Sequence, residues 1–347
     1  MRTCIYCQRT DPPFGFTREH VIPEALGLFH GDVVTLTSEV CGECNQWFGD
    51  HIDRVFTRDS AEAVLRLKYG LKDPAGVKEM FAGRVTFRLP NDGSQWGGVM
   101  LKLVAPSEGQ EVPSADLVTP QAGFERNDLT WEYFTEDEIP PPGELAQRFQ
   151  NAYTGRVATF TESEADETRL RQAIRQATGA QEKRAEYLKA FPPFQRESLR
   201  TEVNARFDKV LAREVVKIGF NYLAKVQGAH FVLRPDFHPA RQFVRYGEGE
   251  PGDFVNVHPG PIPRDGSGRT LLPRGHLITV GWDASGTEVL ARVSPFQHVT
   301  YVVRLCADFR DVWRPFESAH LYDLEAKRAE RLAAAHLIEI PGAAPPR

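Results

Sequence analysis

Most of the cysteines of this chain fall into two pairs near its beginning, at spacings suited to binding a metal ion. Cys4 and Cys7 form one C-x-x-C pair, and Cys41 and Cys44 form a second. Two intervening residues let both sulfurs of a tight turn reach the same tetrahedral ion. Because four of the five cysteines lie in these pairs, the pattern predicts one structural zinc site with four thiolate ligands. Two disulfides are the alternative, which a chain without an evident secretory leader disfavours.

A second set of reactive side chains lies between and just after the cysteine pairs. Glu19 and His20 are adjacent and precede Val-Ile-Pro, and Asn45 directly follows the second pair. Histidine titrates near neutral pH and can take a proton from water. Glutamate and asparagine offer the oxygen ligands that Mg²⁺ and Mn²⁺ prefer. These residue types are the ones that metal-assisted hydrolysis of a phosphodiester needs.

In order and spacing these motifs resemble the HNH endonuclease family over about residues 3 to 54. The segments that carry the resemblance are Glu19-His20-Val-Ile-Pro and Cys41-Gly-Glu-Cys44-Asn45-Trp-Phe-Gly. The resemblance implies a ββα-metal fold, with the acid–histidine pair on the first strand and the second cysteine pair at the start of the helix. It also implies that His20 is the general base and that Glu19 and Asn45 hold catalytic Mg²⁺ or Mn²⁺. The zinc ion is then scaffold only.

Two positions depart from the pattern of that family. Glu19 stands where the family usually has aspartate, and Leu36 stands where it has the asparagine that braces the loop orienting the histidine. A hydroxyl of the flanking threonines or a backbone group is expected to supply this brace. Asp53 follows Asn45 by about two helical turns and is interpreted as an acid on the helix surface.

The charge of the first 60 residues offers little attraction for a polyanion. They contain five arginines and no lysine against nine acidic residues, and the whole chain has a net charge of −5. Affinity for nucleic acid scales with the phosphates neutralised, so cationic contacts are expected mainly beyond residue 60. The candidates are Arg18 in the first segment and, further along, Arg196, Arg200, Lys209 and Arg213. A solvated helix face is the alternative for the last four.

Hydrophobic periodicity predicts an α+β protein. An N-terminal zinc-stapled ββα-metal module at residues 1–60 is followed, at residues 61–347, by a mixed region of helices and antiparallel strands for targeting or oligomerisation. Its expected elements are strands at about 84–134, helices at about 162–227, a β meander at about 229–305 and a C-terminal helix at about 317–337. The segment from Gln195 to Gln227 has the strongest helical pattern and is expected to be a core helix or a dimer seam.

Composition is typical of a globular protein. No apolar run approaches the 18 or so residues that a membrane-spanning helix needs, so no membrane partner is expected. The cysteine motif begins at residue 4 and leaves no room for a signal peptide. A cytoplasmic location, where thiols stay reduced, is therefore expected.

Together these features predict a metal-dependent endonuclease that nicks DNA or cleaves both strands. By resemblance, its products carry 5′-phosphate and 3′-hydroxyl ends, and its setting is phage, mobile-element or defence biology. Two alternatives stay open: an RNA endonuclease, and a non-catalytic zinc-binding adaptor for nucleic acid or protein, which Leu36 and the acidic first segment support. A homodimer is expected from symmetry, because one active site cuts one strand at a time.

Overall fold

The structure is a computed structural model that describes residues 2–81, 83–92, 96–106, 113–149, 153–178, 184–185, 201–260, 274–283, 286–309 and 316–332. The chain divides into two compact units. One consists of Met1–Lys72 together with Phe207–Arg347, and the other is Asp73–Arg206. The motifs predict a boundary at residue 60, whereas the compact unit that contains them continues to Lys72 and resumes at Phe207.

The N-terminal segment is a β-hairpin followed by a run of helices. Its elements are β1 (Phe16–His20), β2 (Thr35–Cys41), α1 (Gly42–Phe48), α2 (Arg54–Arg58) and α3 (Ala61–Lys68), with a π-helical turn at Gly49–Asp53. β1 and β2 are antiparallel. The strand–strand–helix order is the one that the resemblance implies. Ser60 begins α3 as its cap, because its hydroxyl accepts a hydrogen bond from the backbone N–H of Ala63.

The unit Asp73–Arg206 is built on two four-stranded sheets. Its elements are β3 (Val85–Arg88), β4 (Met100–Val104), β5 (Ser114–Leu117), β6 (Gln121–Arg126), β7 (Trp131–Thr135), α4 (Glu144–Arg148), β8 (Tyr153–Phe160), α5 (Glu164–Thr178), β9 (Arg184–Ala185) and β10 (Glu202–Ala205). The sheet orders are β10-β3-β4-β5 and β7-β6-β8-β9. Strands β3 to β7 lie within the range predicted as strands, about 84–134, and α5 lies near the start of the range predicted as helices, 162–227.

The last part of the chain is mainly one long helix, three short helices and a sheet. The elements are α6 (Lys209–Gln227), α7 (Ala229–Val232), α8 (His238–Tyr246), α9 (Pro251–Phe254), β11 (Val255–Pro259), β12 (Gly275–Trp282), β13 (Val289–Ser294), β14 (Val299–Cys306), β15 (Glu317–Asp323) and β16 (Arg328–Arg331). The strands form one antiparallel sheet in the order β11-β14-β13-β12-β15-β16. None of the described helices combines the length and apolar character needed to cross a bilayer.

Helix α6 is the central core helix of the first unit. Asp208 caps its start by accepting hydrogen bonds from the backbone N–H groups of Val210 and Leu211. The helix packs on β12, β13 and β14, and on β2, α2 and the π-helical turn of the N-terminal segment. A Cβ atom at Gly219 would lie 3.0 Å from the Cβ of Ala291, so glycine lets the helix approach β13 closely. One hydrophobic core therefore joins the N-terminal segment to α6 and to the C-terminal sheet.

The helix predicted at about 317–337 is wrong over its described part. Residues 317–331 form the β15–β16 hairpin, whose turn includes Lys327 at φ 52°; residues 333–337 lie outside the described residues. Alanine, glutamate and arginine favour a helix in isolation, but pairing of β15 with β12 overrides that preference. The turn also holds the N-terminal segment, because the N–H of His30 donates to the carbonyl of Lys327 at 2.9 Å.

Two further element predictions need correction. The β meander does not begin at residue 229, because α7, α8 and α9 occupy most of residues 229–254 and the sheet begins at Val255. Short apolar runs fit a buried strand or a short helix equally well. The helix predicted from Gln195 begins at Lys209 among the described residues, because β10 occupies Glu202–Ala205; residues 195–200 lie outside the described residues. Strands β9 and β10 therefore lie inside the range predicted as helices, 162–227.

One buried histidine of the sheet, His276, has both ring nitrogens in hydrogen bonds. Its Nδ1 accepts from the backbone N–H of Phe296 at 3.0 Å, so Nε2 carries the hydrogen and donates to the carbonyl of Leu26 at 3.1 Å. Complete burial lowers the pKa of His276 to about 4. Protonation of Nδ1 would break the hydrogen bond from the N–H of Phe296 and place a positive charge among aromatic rings.

We predict that His276 makes stability depend on pH. The pKa of His276 rises to about 6.5 in the unfolded chain. Its contribution to the free energy of unfolding is therefore fully present above about pH 6.5 and is lost as pH falls toward about 4. At about pH 4.5 the loss reaches about 2 to 3 kcal/mol. The measurement is the free energy of unfolding in urea at pH 7.5 and pH 4.5, for wild type, His276→Gln and the exposed control His230→Gln. An equal difference between wild type and His276→Gln at both pH values would contradict the prediction.

Candidate active site

The four paired cysteines meet at one point. Cys4 and Cys7 flank the turn before β1, Cys41 ends β2, and Cys44 lies in the first turn of α1. Their sulfur atoms all lie within 4.8 Å of one another, and those of Cys7 and Cys41 are 3.6 Å apart. A tetrahedral zinc ion with Zn–S distances of about 2.3 Å needs sulfurs about 3.8 Å apart. The cluster therefore fits the predicted zinc site.

The chemistry of the cysteine cluster also calls for a cation. Hydrogen bonds from Cys44 and Cys7 lower the pKa of the Cys4 thiol to about 2, whereas burial raises the pKa of Cys41 to about 11. Four thiolates therefore form only when a divalent ion binds, because the ion offsets the burial of the sulfurs and the repulsion between them. A zinc ion with four thiolate ligands has no open position, so its role here would be structural. Within the described residues, no second group of three or more Cys, His, Asp or Glu side chains converges in this way.

Glu19 and His20 lie at the end of β1 and line the same cavity. The pairing of β1 with β2 shifts register between Thr17 and Glu19, and such an irregularity re-aims side chains that would otherwise alternate. Glu19 is only 3% exposed. Burial raises its pKa, and the ammonium of Lys217 opposes that rise.

His20 lies beside an acidic side chain in the cavity. Its Nε2 lies 3.7 Å from a carboxylate oxygen of Glu24. Partial burial lowers the pKa of His20, and Glu24 opposes this effect. A neutral imidazole can accept a proton, and a carboxylate at this distance favours the imidazolium that results.

Asn45 faces the cavity from α1 and is anchored to β1. Its Nδ2 donates to the hydroxyl of Thr17 at 3.0 Å and to the carbonyl of Arg18 at 2.8 Å. A carbonyl can only accept, so the amide nitrogen must be the atom on β1. No described residue donates to Oδ1 of Asn45, and this oxygen remains available as a ligand.

Asp53 is part of the site rather than an isolated surface acid. It lines the cavity, and its Oδ1 accepts from the Nζ of Lys217 at 2.6 Å. Lys217, on α6, is fully buried and also donates to Oε1 of Glu19 at 2.9 Å. Burial alone would lower the pKa of Lys217, but the carboxylates of Asp53 and Glu19 raise it well above its usual value. The lysine therefore stays charged.

The strand that carries Glu19 and His20 is braced by two side-chain amides. Asn45 binds the carbonyl of Arg18, and Asn221 of α6 donates from Nδ2 to the carbonyl of His20 at 3.2 Å. Leu36 lies opposite Glu19 on β2 and is buried in the core. The sequence predicts a brace from a threonine hydroxyl or a backbone group; among the described residues, two asparagine side chains contact this strand in that way.

The cavity has a volume of about 530 Å³ and a lining of mixed charge. Besides the acidic and histidine side chains described above, the lining includes four cationic residues that no sequence motif indicated. These residues, called here the cationic wall, are Arg54, Arg58, Arg66 and Lys72. Arg54 and Arg58 are four residues apart and so share one face of α2. This four-residue spacing could have indicated a cationic helix face from the sequence. It was missed because only the total charge of the first 60 residues was considered.

The cationic residues predicted from the sequence lie elsewhere. Arg18 is exposed on β1, and neither it nor Lys209 or Arg213 lines the cavity. Lys209 approaches Glu250 at 3.5 Å. Arg213 donates to the carbonyls of Val244 and Arg245 and stacks on Trp47, so its guanidinium has a structural role. Arg196 and Arg200 lie outside the described residues.

Comparison with known proteins found a match for the N-terminal segment alone. Residues 4–60 match the family described as HNH endonuclease. This range contains the cysteine cluster together with Glu19, His20 and Asn45. No curated protein and no solved structure shows a significant match to the chain.

We predict that purified protein contains one zinc ion per chain, held by the four cysteines of the two C-x-x-C motifs. Cys44→Ser should remove the zinc and unfold the N-terminal segment, because a structural zinc ion contributes directly to folding. The buried but unpaired Cys306 provides the control, since Cys306→Ser should retain zinc. Metal content is measured by plasma mass spectrometry after gel filtration. Zinc at wild-type level in Cys44→Ser would contradict the four-thiolate site.

Proposed function

We propose, from the match of residues 4–60 to the HNH endonuclease family, that this protein is a metal-dependent endonuclease that hydrolyses phosphodiester bonds in DNA. The observation that carries the proposal is the cavity itself. It brings His20, Glu19 and Asn45 together with four cationic side chains. A neutral base, oxygen ligands and a cationic wall are the parts that a phosphodiester substrate requires.

The proposed chemistry assigns a separate role to each residue. His20 takes a proton from water, whose oxygen attacks phosphorus while the bond to the 3′ oxygen breaks. Glu19 and Asn45 hold Mg²⁺ or Mn²⁺, which neutralises charge on the phosphate and the leaving oxygen when bound. The site needs few further protein ligands, because Mg²⁺ usually keeps several waters and binds one or two carboxylates together with substrate phosphates. The products carry 5′-phosphate and 3′-hydroxyl ends.

The cationic wall supplies positive charge beside the proposed catalytic residues, although the first 60 residues are acidic in total. Arg54, Arg58, Arg66 and Lys72 face the same cavity as His20, so we assign phosphate contacts to this wall. Such contacts hold the backbone without reading sequence. Sequence preference, targeting and dimer formation for double-strand cleavage are assigned to the rest of the chain. A role in phage, mobile-element or defence biology accords with such an enzyme.

We predict that wild-type protein nicks supercoiled plasmid in Mg²⁺ or Mn²⁺ and that EDTA stops the reaction. His20→Ala should lower the rate by about 10² to 10⁴, the usual contribution of a general base. His51→Ala is the matched control, since that histidine is exposed and stacks on Trp47. Gel electrophoresis measures the nicked fraction, and a parallel assay with single-stranded and hairpin RNA separates the two substrate classes.

The outcomes distinguish the proposals. Cleavage of RNA but not DNA would transfer the activity to the RNA alternative. Equal cleavage by wild type and His20→Ala would contradict the assignment of the base. No cleavage of either nucleic acid by folded, zinc-containing protein would favour the adaptor.

We predict that the cationic wall sets the affinity for DNA. In a His20→Ala background, which prevents cutting, Arg54→Ala with Arg58→Ala should weaken binding. It should also reduce the slope of log K against log salt by up to about 1.8, or about 0.9 for each phosphate that the protein no longer neutralises. Arg9→Ala, which removes only an exposed ion pair with Glu43, should leave the slope unchanged. Fluorescence anisotropy across a salt series measures both quantities. An unchanged slope in the double variant would exclude these arginines from phosphate binding.

A further inference from the structure

The carboxylate of Glu19 is held from a distant part of the chain. Lys217 and Asn221 lie one turn apart on α6, so their side chains share a face of that helix. Lys217 donates to Oε1 of Glu19 at 2.9 Å, and Asn221 donates to the same oxygen at 3.2 Å. No described residue donates to the other carboxylate oxygen, Oε2. The two carboxylate oxygens of Glu19 are therefore inequivalent. Oε1 is fixed by hydrogen bonds from α6, and Oε2 is available as a ligand.

Asn221 is itself fixed in orientation. Its Oδ1 accepts from the hydroxyl of Tyr6 at 2.7 Å, which leaves Nδ2 to donate to Glu19 and to the carbonyl of His20. Tyr6 lies between the first two cysteines of the zinc cluster. Asn221 thus joins the zinc segment, the acid and the strand that carries the base.

The ammonium of Lys217 lies among three carboxylates. Its Nζ is 2.9 Å from Glu19, 2.6 Å from Asp53 and 3.6 Å from Glu214. Glu214 is completely buried, and burial together with Asp53 raises its pKa well above the usual range. Asp53 and Glu19 make the two shorter contacts with the ammonium, and Glu214 makes the longest.

An arrangement of this kind is costly for stability alone. Burying an ion pair carries a desolvation penalty, and well-packed apolar residues of similar volume often serve stability as well or better. Glutamate also has one more rotatable bond than aspartate, so Glu19 needs additional contacts to hold its carboxylate in one orientation. Lys217 and Asn221 provide these contacts at one oxygen.

We propose that Lys217 and Asn221 are positioning residues that fix Glu19 by Oε1 and present Oε2 to the catalytic divalent ion. The N-terminal segment then contains the ligands, but α6 completes the site. This inference rests on the proposed function in taking Glu19 as a metal ligand. It adds that the affinity for metal depends on residues about 200 positions away in the sequence.

The test measures metal binding directly, without nucleic acid. Full-length, zinc-loaded protein is titrated with Mn²⁺, and free Mn²⁺ is followed by electron paramagnetic resonance. Lys217→Met and Asn221→Ala should each bind Mn²⁺ about 10- to 100-fold more weakly, the usual effect of removing a partner that orients a metal ligand. Lys225→Met, in the last turn of the same helix, should bind as wild type does. Zinc content and urea unfolding confirm that each variant is folded.

A kinetic readout separates positioning from a general loss of structure. In Lys217→Met the Mn²⁺ concentration for half-maximal cleavage should rise, while the rate at saturating Mn²⁺ should recover most of the wild-type value. Lys217→Arg, which keeps the positive charge, should lie closer to wild type. If Lys217→Met does not fold, Asn221→Ala carries the same comparison without removing a charge.

The outcomes keep this inference distinct from the proposed function. Wild type that binds Mn²⁺, with weaker binding in both variants, supports the positioning role even if no nucleic acid is cut. Folded variants that bind Mn²⁺ as wild type does overturn the role even if wild type is an active nuclease. Tighter binding in Lys217→Met, as expected if the ammonium merely repelled the ion, also overturns it, as does wild type that binds no Mn²⁺.

Discussion

The buried ammonium of Lys217 is the interaction on which the site depends. Removing a charge from water is costly, and opposite charges at hydrogen-bond distance must compensate. Glu19 from β1 and Asp53 from the π-helical turn provide that compensation. The charge balance therefore requires α6 to pack against the N-terminal segment, and the shared core of Tyr6, Phe48 and Phe220 forms around this contact.

The strand β1 is consequently held by several independent elements. The zinc cluster fixes the end of β2 and the start of α1, and Asn45 of α1 binds the carbonyl before Glu19. Asn221 binds the carbonyl after it. Each contact restrains the backbone that carries the proposed base, and precise placement of a base is worth a large factor in rate. The cysteine cluster is thus connected through α1 to the strand that carries the proposed base.

Local spacing made part of this site predictable, and long-range contacts hid the remainder. The cysteine pairs, Glu19, His20 and Asn45 lie within about 40 residues, and their spacing alone indicates shared ligands. Lys217 and Asn221 resembled any residues of an amphipathic helix, because their partners are about 200 positions away. The hairpin at 317–331 was missed for a similar reason: its strand pairing with β12 outweighs a composition that favours helix. When only tertiary packing brings residues together, no local sequence pattern reveals that they are in contact.

The most direct measurement is a crystal structure of the His20→Ala protein soaked in Mn²⁺, with anomalous diffraction to locate the ion. We expect an anomalous peak in the cavity, within coordination distance of Oε2 of Glu19 and Oδ1 of Asn45. We also expect that Lys217 still binds Oε1 of Glu19 and that a separate zinc peak lies among the four cysteines. A manganese peak that displaces Lys217, or one that lies away from Glu19 and Asn45, would contradict the roles proposed for these residues.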